Sequence, residues 1–417
     1  MLSSFSPLDH LVSHTLSNGL RVLLKEDHSW PLVSAQAWVH VGSVDETPVQ
    51  AGISHVIEHM VFKGTARYQA ADIARWIEVL GGAMNAETSK EYTHYYIDIR
   101  SAGAEKAVNI LGELLHRALF DPGEWQRECA VILEEIKRRN DDPESVLWEL
   151  LNDAVFREVR LKRPVIGSVE TVAGLAREDL WAFYRAFYRT GSSLVIIAGD
   201  FEPRRMLRWI ETAFDGMPEG APPERPAWPV QDQPPQHRSM RQPVQQTYSA
   251  LGFPTPPSNH PDQEALDVLA AVLGEGRGSQ LVQLLREKKK LVWSVSAANY
   301  GHEGPGVFGI FAESTAANQK RVYPEIDRLL KRLRRQKLTG SEVSRAKNLI
   351  ESAWLQSFET YHQQASTIGI YALDHQLDRL RNYLNRLKAL TPAALSAAAD
   401  RYLDSKHLSS ALIGADV

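Results

Sequence analysis

Apolar and polar positions along this chain follow a pattern that is played through twice. Residues 15–24 set apolar-rich flanks around Asn18-Gly19, a dipeptide suited to a tight turn, and predict an opening hairpin. Residues 34–41 read as a further strand, placed just before a helical pattern that starts near Gly52. A helix is predicted over about 70–80. Gly81-Gly82 then relaxes the backbone, and residues 81–88 lead through a turn into the strand-like run 92–99. Helical periodicity dominates 103–187, interrupted by Pro122, Pro143 and Pro164. The apolar run 191–200 has the look of a central strand, and a helix over about 202–214 follows it.

Residues 216–243 hold eight of the chain's 22 prolines, which predicts a stiff, extended linker. Beyond it the outline returns: a strand at 247–253, a helix at 262–273, strands at 292–299 and 306–313, then helices from 318 onward. The last apolar run, 407–416, echoes the run that closes the first half. Two copies of one α+β unit are therefore expected, with a first domain over 1–215, a linker over 216–243 and a second domain over 244–417.

The first copy alone carries a metal-site pattern. His55 and His59 are four residues apart, so their imidazoles stack on one helical face, and Glu58 borders that face. Neutral imidazole suits zinc, and a carboxylate beside the ligands is placed to take a proton from a water that the metal activates. The order His-x-x-Glu-His inverts the common zincin motif. At the equivalent place in the second copy stands Asp267-Val268-Leu269-Ala270-Ala271-Val272-Leu273-Gly274, which cannot bind metal in this way. A zinc site needs a third protein ligand, expected on another helix. The helical stretch 124–137 offers Glu128 and Glu135, seven residues apart and pointing alike, with Glu134 as a rival. Without the upstream motif these glutamates would read as a solvated helix face. His40 and His94 read as structural histidines. The glycines of 274–278 lack the Lys-Ser/Thr of a phosphate loop.

Composition narrows the function classes. At 417 residues, 43% hydrophobic and 24% charged, the chain is an ordinary globular protein with room for two domains. A net charge of −4 offers no basic face for nucleic acid or an anionic membrane, so neither is expected as a partner. Cys129 is the only cysteine, which excludes an internal disulfide framework. No run is long enough to span a bilayer, and residues 1–10 lack the basic start and apolar core of a secretory leader. A cytoplasmic location is expected, or a periplasmic one if a leader has been removed.

The inverted motif and the glutamate helix together closely resemble the pitrilysin, insulin-degrading enzyme and mitochondrial processing peptidase family. Glu135 lies 76 residues after His59 (135 − 59), which matches that family's pattern. The resemblance implies one Zn2+ per chain held by His55, His59 and Glu135, with Glu128 as a supporting carboxylate and Glu58 as general base. It implies an α+β fold of two homologous α/β sandwiches, each a sheet covered by helices, forming half of a clamshell chamber. Such a chamber admits short or unfolded peptides as substrates. The stretch 81–86, Gly-Gly-x-x-Asn-Ala, becomes an exposed edge strand that pairs with substrate backbone, making Asn85, Ala86 and Thr88 substrate contacts.

In the second half, family members carry an arginine and, seven residues later, a tyrosine that grip the substrate. Arg286 matches the arginine, but Trp293 stands at the tyrosine position, and an indole donates one hydrogen bond and accepts none. Short family members assemble as dimers sharing a chamber. The resemblance thus implies a homodimer, or a heterodimer with a homologous subunit that supplies the complete Arg/Tyr pair. The implied activity is zinc-dependent endopeptidase. The alternatives are a non-catalytic scaffold and a subunit of a peptidase that trims targeting sequences.

Overall fold

The computed structural model describes residues 6–230 and 234–415. The first five residues, linker positions 231–233 and residues 416–417, the first of which ends the closing run, lie outside the described residues. The chain forms two compact units, each a mixed sheet covered by helices. Unit 1 comprises Met1–Ile136, Pro164–Pro226 and Gln356–Arg381, and unit 2 comprises Lys137–Arg163, Ala227–Leu355 and Asn382–Val417.

Unit 1 is built on six strands: β1 (Leu11–Thr15), β2 (Arg21–Glu26), β3 (Leu32–Val39), β4 (Ala83–Thr88), β5 (Thr93–Arg100) and β6 (Ser193–Gly199), in the order β1-β2-β6-β3-β5-β4. The hairpin β1–β2 turns at Gly19, whose φ of 85° suits a residue without Cβ. Strand β6 is buried along its whole length and pairs parallel to β2 and antiparallel to β3, as its unbroken apolar run requires. On β3, Val33, Ala35, Ala37 and Val39 join the main core of the unit. That core also takes the apolar faces of helices α1 (Ile53–Val61), α2 (Ala70–Val79), α3 (Ala104–His116) and α4 (Pro122–Asp141). The alternate residues of β3, Ser34, Gln36 and Trp38, are buried too. The helix Tyr361–Leu373 covers them: Gln36 Nε2 donates to the His362 carbonyl and to Ser366 Oγ, each at 3.1 Å, and Gly369 lies against the Trp38 indole.

Unit 2 has β7 (His237–Arg241), β8 (Thr247–Thr255), β9 (Val292–Tyr300), β10 (Gly306–Ser314) and β11 (Ser409–Gly414), in the order β7-β11-β8-β10-β9. Strand for strand this is the order β2-β6-β3-β5-β4 of unit 1, so the repeat expected from the sequence is present in the topology. The helix Gln263–Gly274 takes the place of α1 and is almost wholly buried, with Leu266, Leu269, Val272 and Leu273 in the core. The opposite face of this sheet is covered by α5 (Pro143–Val155), whose Leu151 and Val155 lie where a Cβ on Gly252 would sit.

The compact units differ from the division expected at 215 and 244 in two ways. Each sheet borrows a covering helix from the other half of the sequence: α5 belongs to unit 2 and Tyr361–Leu373 to unit 1. An amphipathic helix records that it has an apolar face but not which sheet will receive it. The proline-rich span is also not linker throughout, because His237–Arg241 pairs parallel with β11. Its composition hid this strand: at the sheet edge every residue but the half-buried Arg238 is exposed, so no apolar alternation is needed. Prolines 122 and 143 start helices rather than merely interrupting them, since the first helical turn does not need their missing N–H.

Candidate metal centre

Helix α1 is held in place at both its face and its start. Ile53, Val56, Ile57, Met60 and Val61 are buried, leaving His55, Glu58 and His59 on the other side. Its N-cap, Gly52, has φ 97°, and a Cβ there would come within 2.6 Å of the Ile166 carbonyl. With no side chain at the cap, the first amides find another acceptor. The buried Glu46 carboxylate accepts from Gly52 N at 2.8 Å and from Ser54 N at 2.9 Å, placing negative charge on the positive end of the helix.

The second contribution comes from α4. Glu135 reaches both histidines, with Oε1 3.9 Å from His55 Nε2 and Oε2 3.6 Å from His59 Nε2. One residue earlier, Glu134 is exposed. Two turns back, Glu128 is buried and its Oε1 lies 2.8 Å from His59 Nδ1, while Lys63 Nζ sits 2.6 Å from its Oε2. Burial acts to raise the Glu128 pKa, but the hydrogen bonds from Lys63 and His59 outweigh it and hold the group below its ordinary value. An ionised carboxylate at Nδ1 assigns the His59 proton to that nitrogen and frees the Nε2 lone pair.

Glu58 lies in the same cluster, its ligating atom and those of His55 and His59 all within 4.8 Å of one another. Thr88, the last residue of β4, donates its hydroxyl hydrogen to Glu58 Oε2. The Glu58 pKa is raised, first by burial and then by the nearby charges of Glu135 and Glu87, against the lowering pull of Thr88 and His59.

Two imidazole nitrogens and a carboxylate are the donor set that zinc takes. Around a tetrahedral metal with bonds of about 2.0–2.2 Å, ligand atoms stand about 3.3–3.6 Å apart. The separations of 3.6 and 3.9 Å from Glu135 to the two Nε2 atoms need to close by only a few tenths of an ångström. The residues present therefore fit the metal.

The other residues singled out from the sequence are placed as follows. Strand β4 is the terminal strand of its sheet, and among the described residues it pairs only with β5, which leaves its outer edge without a strand partner there. Asn85 is exposed, while Ala86 and Thr88 are half-buried, and Thr88 faces Glu58. Arg286 lies on a helical turn, Val282–Lys288, and is exposed beside Glu287. Trp293 is half-exposed on β9. His94 is buried, stacked on Trp38 and hydrogen-bonded to Gln36, which makes it a core residue. Glu46 and Lys63 were not picked out by sequence reasoning. Lys63 had a signal, being four residues after His59; Glu46 stands six residues ahead of the N-cap, beyond any local capping pattern.

Comparison with known proteins places the chain in a family. Residues 21–169 match the family model described as Insulinase (Peptidase family M16), and residues 174–350 match the model described as Peptidase M16 inactive domain. The chain is 30% identical over 380 residues to YmxG of Bacillus subtilis, named an uncharacterized zinc protease, covering 89% of this chain and 91% of that one. A similarly named protein of Mycobacterium leprae is 30% identical over 400 residues, covering 94% and 89%. Among solved structures, a protease from Helicobacter pylori superposes with a TM-score of 0.91 at 24% identity, over 97% of this chain and 99% of that one. A chain of complex III2 from Candida albicans shares the fold with a TM-score of 0.82 at 17% identity, over 97% and 96%. Among the described residues no helix is long and apolar enough to cross a membrane. With family models matching both halves and a relative covered over nine-tenths of its length, the chain belongs to peptidase family M16.

Proposed function

We propose that the chain is a zinc-dependent endopeptidase acting on short or unfolded peptides. The observation that carries this reading is the convergence of His55 Nε2, His59 Nε2 and the Glu135 carboxylate beside a buried Glu58. These three residues would hold one Zn2+, which supplies Lewis-acid polarisation of the scissile carbonyl and acidifies a water. Glu58 accepts the proton of that water and returns it to the departing amine nitrogen. Burial keeps Glu58 a stronger base than an exposed glutamate, and the Thr88 hydroxyl fixes which oxygen faces the reaction. The open edge of β4, which ends at Thr88, offers an extended peptide backbone a strand to pair with and leads it toward Glu58. Asn85 and Ala86 would then contact substrate, as would Arg286 from the second half.

The test is zinc content and cleavage of fluorogenic peptides by the purified chain and its Glu58→Gln variant. The expected result is one zinc in both proteins, with cleavage reduced about 10²–10⁴-fold in the variant. A chain that binds no zinc at neutral pH, or a Glu58→Gln variant that cleaves at the wild-type rate, overturns the reading. The second reading is a non-catalytic assembly subunit, favoured by the likeness in fold to a complex III2 chain. It gives no role to Glu58, Glu128 and Glu135 together, which is why the enzyme is preferred.

A further inference from the structure

Unit 2, which contributes none of the cluster residues, carries a cavity of about 330 Å³ on the sheet face next to α5. Its floor is set by strand register. Tyr248, Glu313 and Ser294 form one row across β8, β10 and β9, and Ala250, Phe311 and Ser296 form the row beside it. Its wall comes from α5, where Glu144 and Trp148 are four residues apart and share a helical face. The Trp148 ring lies 4.6 Å from Tyr300 and 6.1 Å from Phe311, and Tyr300 meets Phe311 edge-on at 6.4 Å, so three aromatic rings form one corner.

The polar side of the cavity is acidic. Glu313 Oε1 accepts a hydrogen bond from Ser294 Oγ at 2.7 Å. Among the described residues no lysine or arginine lines the cavity, and none pairs with Glu144 or Glu313. Burial, and after it the charges of Glu313, Glu144 and Asp142, raise the pKa of the Tyr248 hydroxyl. An anion is repelled here, and a neutral apolar group brings the two carboxylates no countercharge. Among the described residues the two carboxylates belong to no cluster of three acidic, histidine or cysteine ligands close enough to hold a metal ion. A cation with an apolar or planar stem satisfies both sides, through ring faces and carboxylates together.

We propose that this cavity is a receptor for the basic side chain of a peptide, arginine or lysine. The stem lies against Trp148, Tyr300 and Phe311, and the charged head sits between Glu144 and Glu313. The inference rests on the peptidase reading only in drawing the cation from a peptide. Specificity of this kind is carried by π faces and carboxylates, so it distinguishes arginine from its uncharged isostere citrulline.

The experiment titrates the full-length Glu58→Gln chain, which does not consume the peptide, by calorimetry. The ligands are acetyl-Ala-Ala-Arg-Ala-Ala amide and the same peptide with citrulline. The arginine peptide is expected to bind at least roughly five-fold more tightly. That preference is expected to vanish when Glu144→Gln and Glu313→Gln are added, and to shrink with Trp148→Leu. Equal binding of the two peptides, or an arginine preference that survives both glutamine changes, overturns the proposal. Cleavage of an arginine-free peptide by the wild-type chain tests the peptidase reading separately. A chain that cleaves but shows no arginine preference sinks this inference alone; one that shows the preference without cleaving sinks the peptidase reading alone.

Discussion

Replacing Glu46 by glutamine should loosen the metal centre without touching any group that contacts metal or substrate. The Glu46 carboxylate, 4% exposed, receives the Gly52 and Ser54 amides at 2.8 and 2.9 Å. In the variant one oxygen becomes an NH2 facing a backbone N–H, so one hydrogen bond is lost and two donors confront each other in a dry place. A hydrogen bond to a charged group contributes about 1.5–3 kcal/mol, and a charge on a helix N-terminus up to about 2 kcal/mol. These overlap, so about 3 kcal/mol is a fair total for the clamp. For a unit of this size that corresponds to a melting temperature lower by roughly 6–12 °C. His55 lies in the first turn of α1, so fraying there also weakens zinc binding, by about 10–100-fold as for other supporting groups. Calorimetric melting of the zinc-free chain and competition with a chromogenic chelator measure the two effects. A variant with wild-type melting and wild-type zinc affinity would refute the argument that this carboxylate holds the helix.

Three further outcomes are expected. Glu128→Gln removes the ionised partner of both Lys63 and His59 Nδ1, and should lower zinc affinity about 10–100-fold in the same chelator competition. Buried His94 has its pKa lowered to about 3, by burial and by His362, from 6.5 when unfolded. The unfolded chain therefore binds a proton that the folded chain refuses, and stability falls as pH drops below 6.5, by about 2 kcal/mol between pH 7.5 and 5. His94→Gln should flatten that acid limb in melting curves, and an unchanged limb would assign it to other groups. A Cβ at Gly369 would lie 2.4–2.7 Å from the Trp38 indole, so Gly369→Ala should cost roughly 1–3 kcal/mol, read as a lower melting temperature.

What could be read from the sequence depended on how local each signal was. His55, Glu58 and His59 lie within five residues, where helix geometry alone forces them together. Strand β6 was legible because a central strand must be apolar on both faces. Helix periodicity alone leaves Glu134 beside Glu135, and only the family's spacing favours Glu135; the structure separates them, since Glu134 is exposed and Glu135 lies 3.6–3.9 Å from both imidazoles. Thr88 was expected to touch substrate, and its hydroxyl is found on Glu58, a contact made by the meeting of β4 with α1. Glu46 and the borrowed helices were hidden for one reason. Each acts on a partner distant in sequence through a contact that any carboxylate, or any amphipathic helix, could make elsewhere.

The borrowed helices bear on how the chain can be born. Trp38, Gln36 and Ser34 are laid down within the first tenth of synthesis, yet the helix that shelters them is completed only at Leu373. A ribosome extruding this protein must carry a half-covered sheet for more than three hundred residues before its lid is made. The first half cut off at residue 215 would keep the candidate ligands but bare the Trp38 indole to water and strip the Gln36 amide of its two acceptors on that helix. Because each sheet takes a covering helix from the other half of the chain, the duplication visible in the sheets cannot be undone with a single cut.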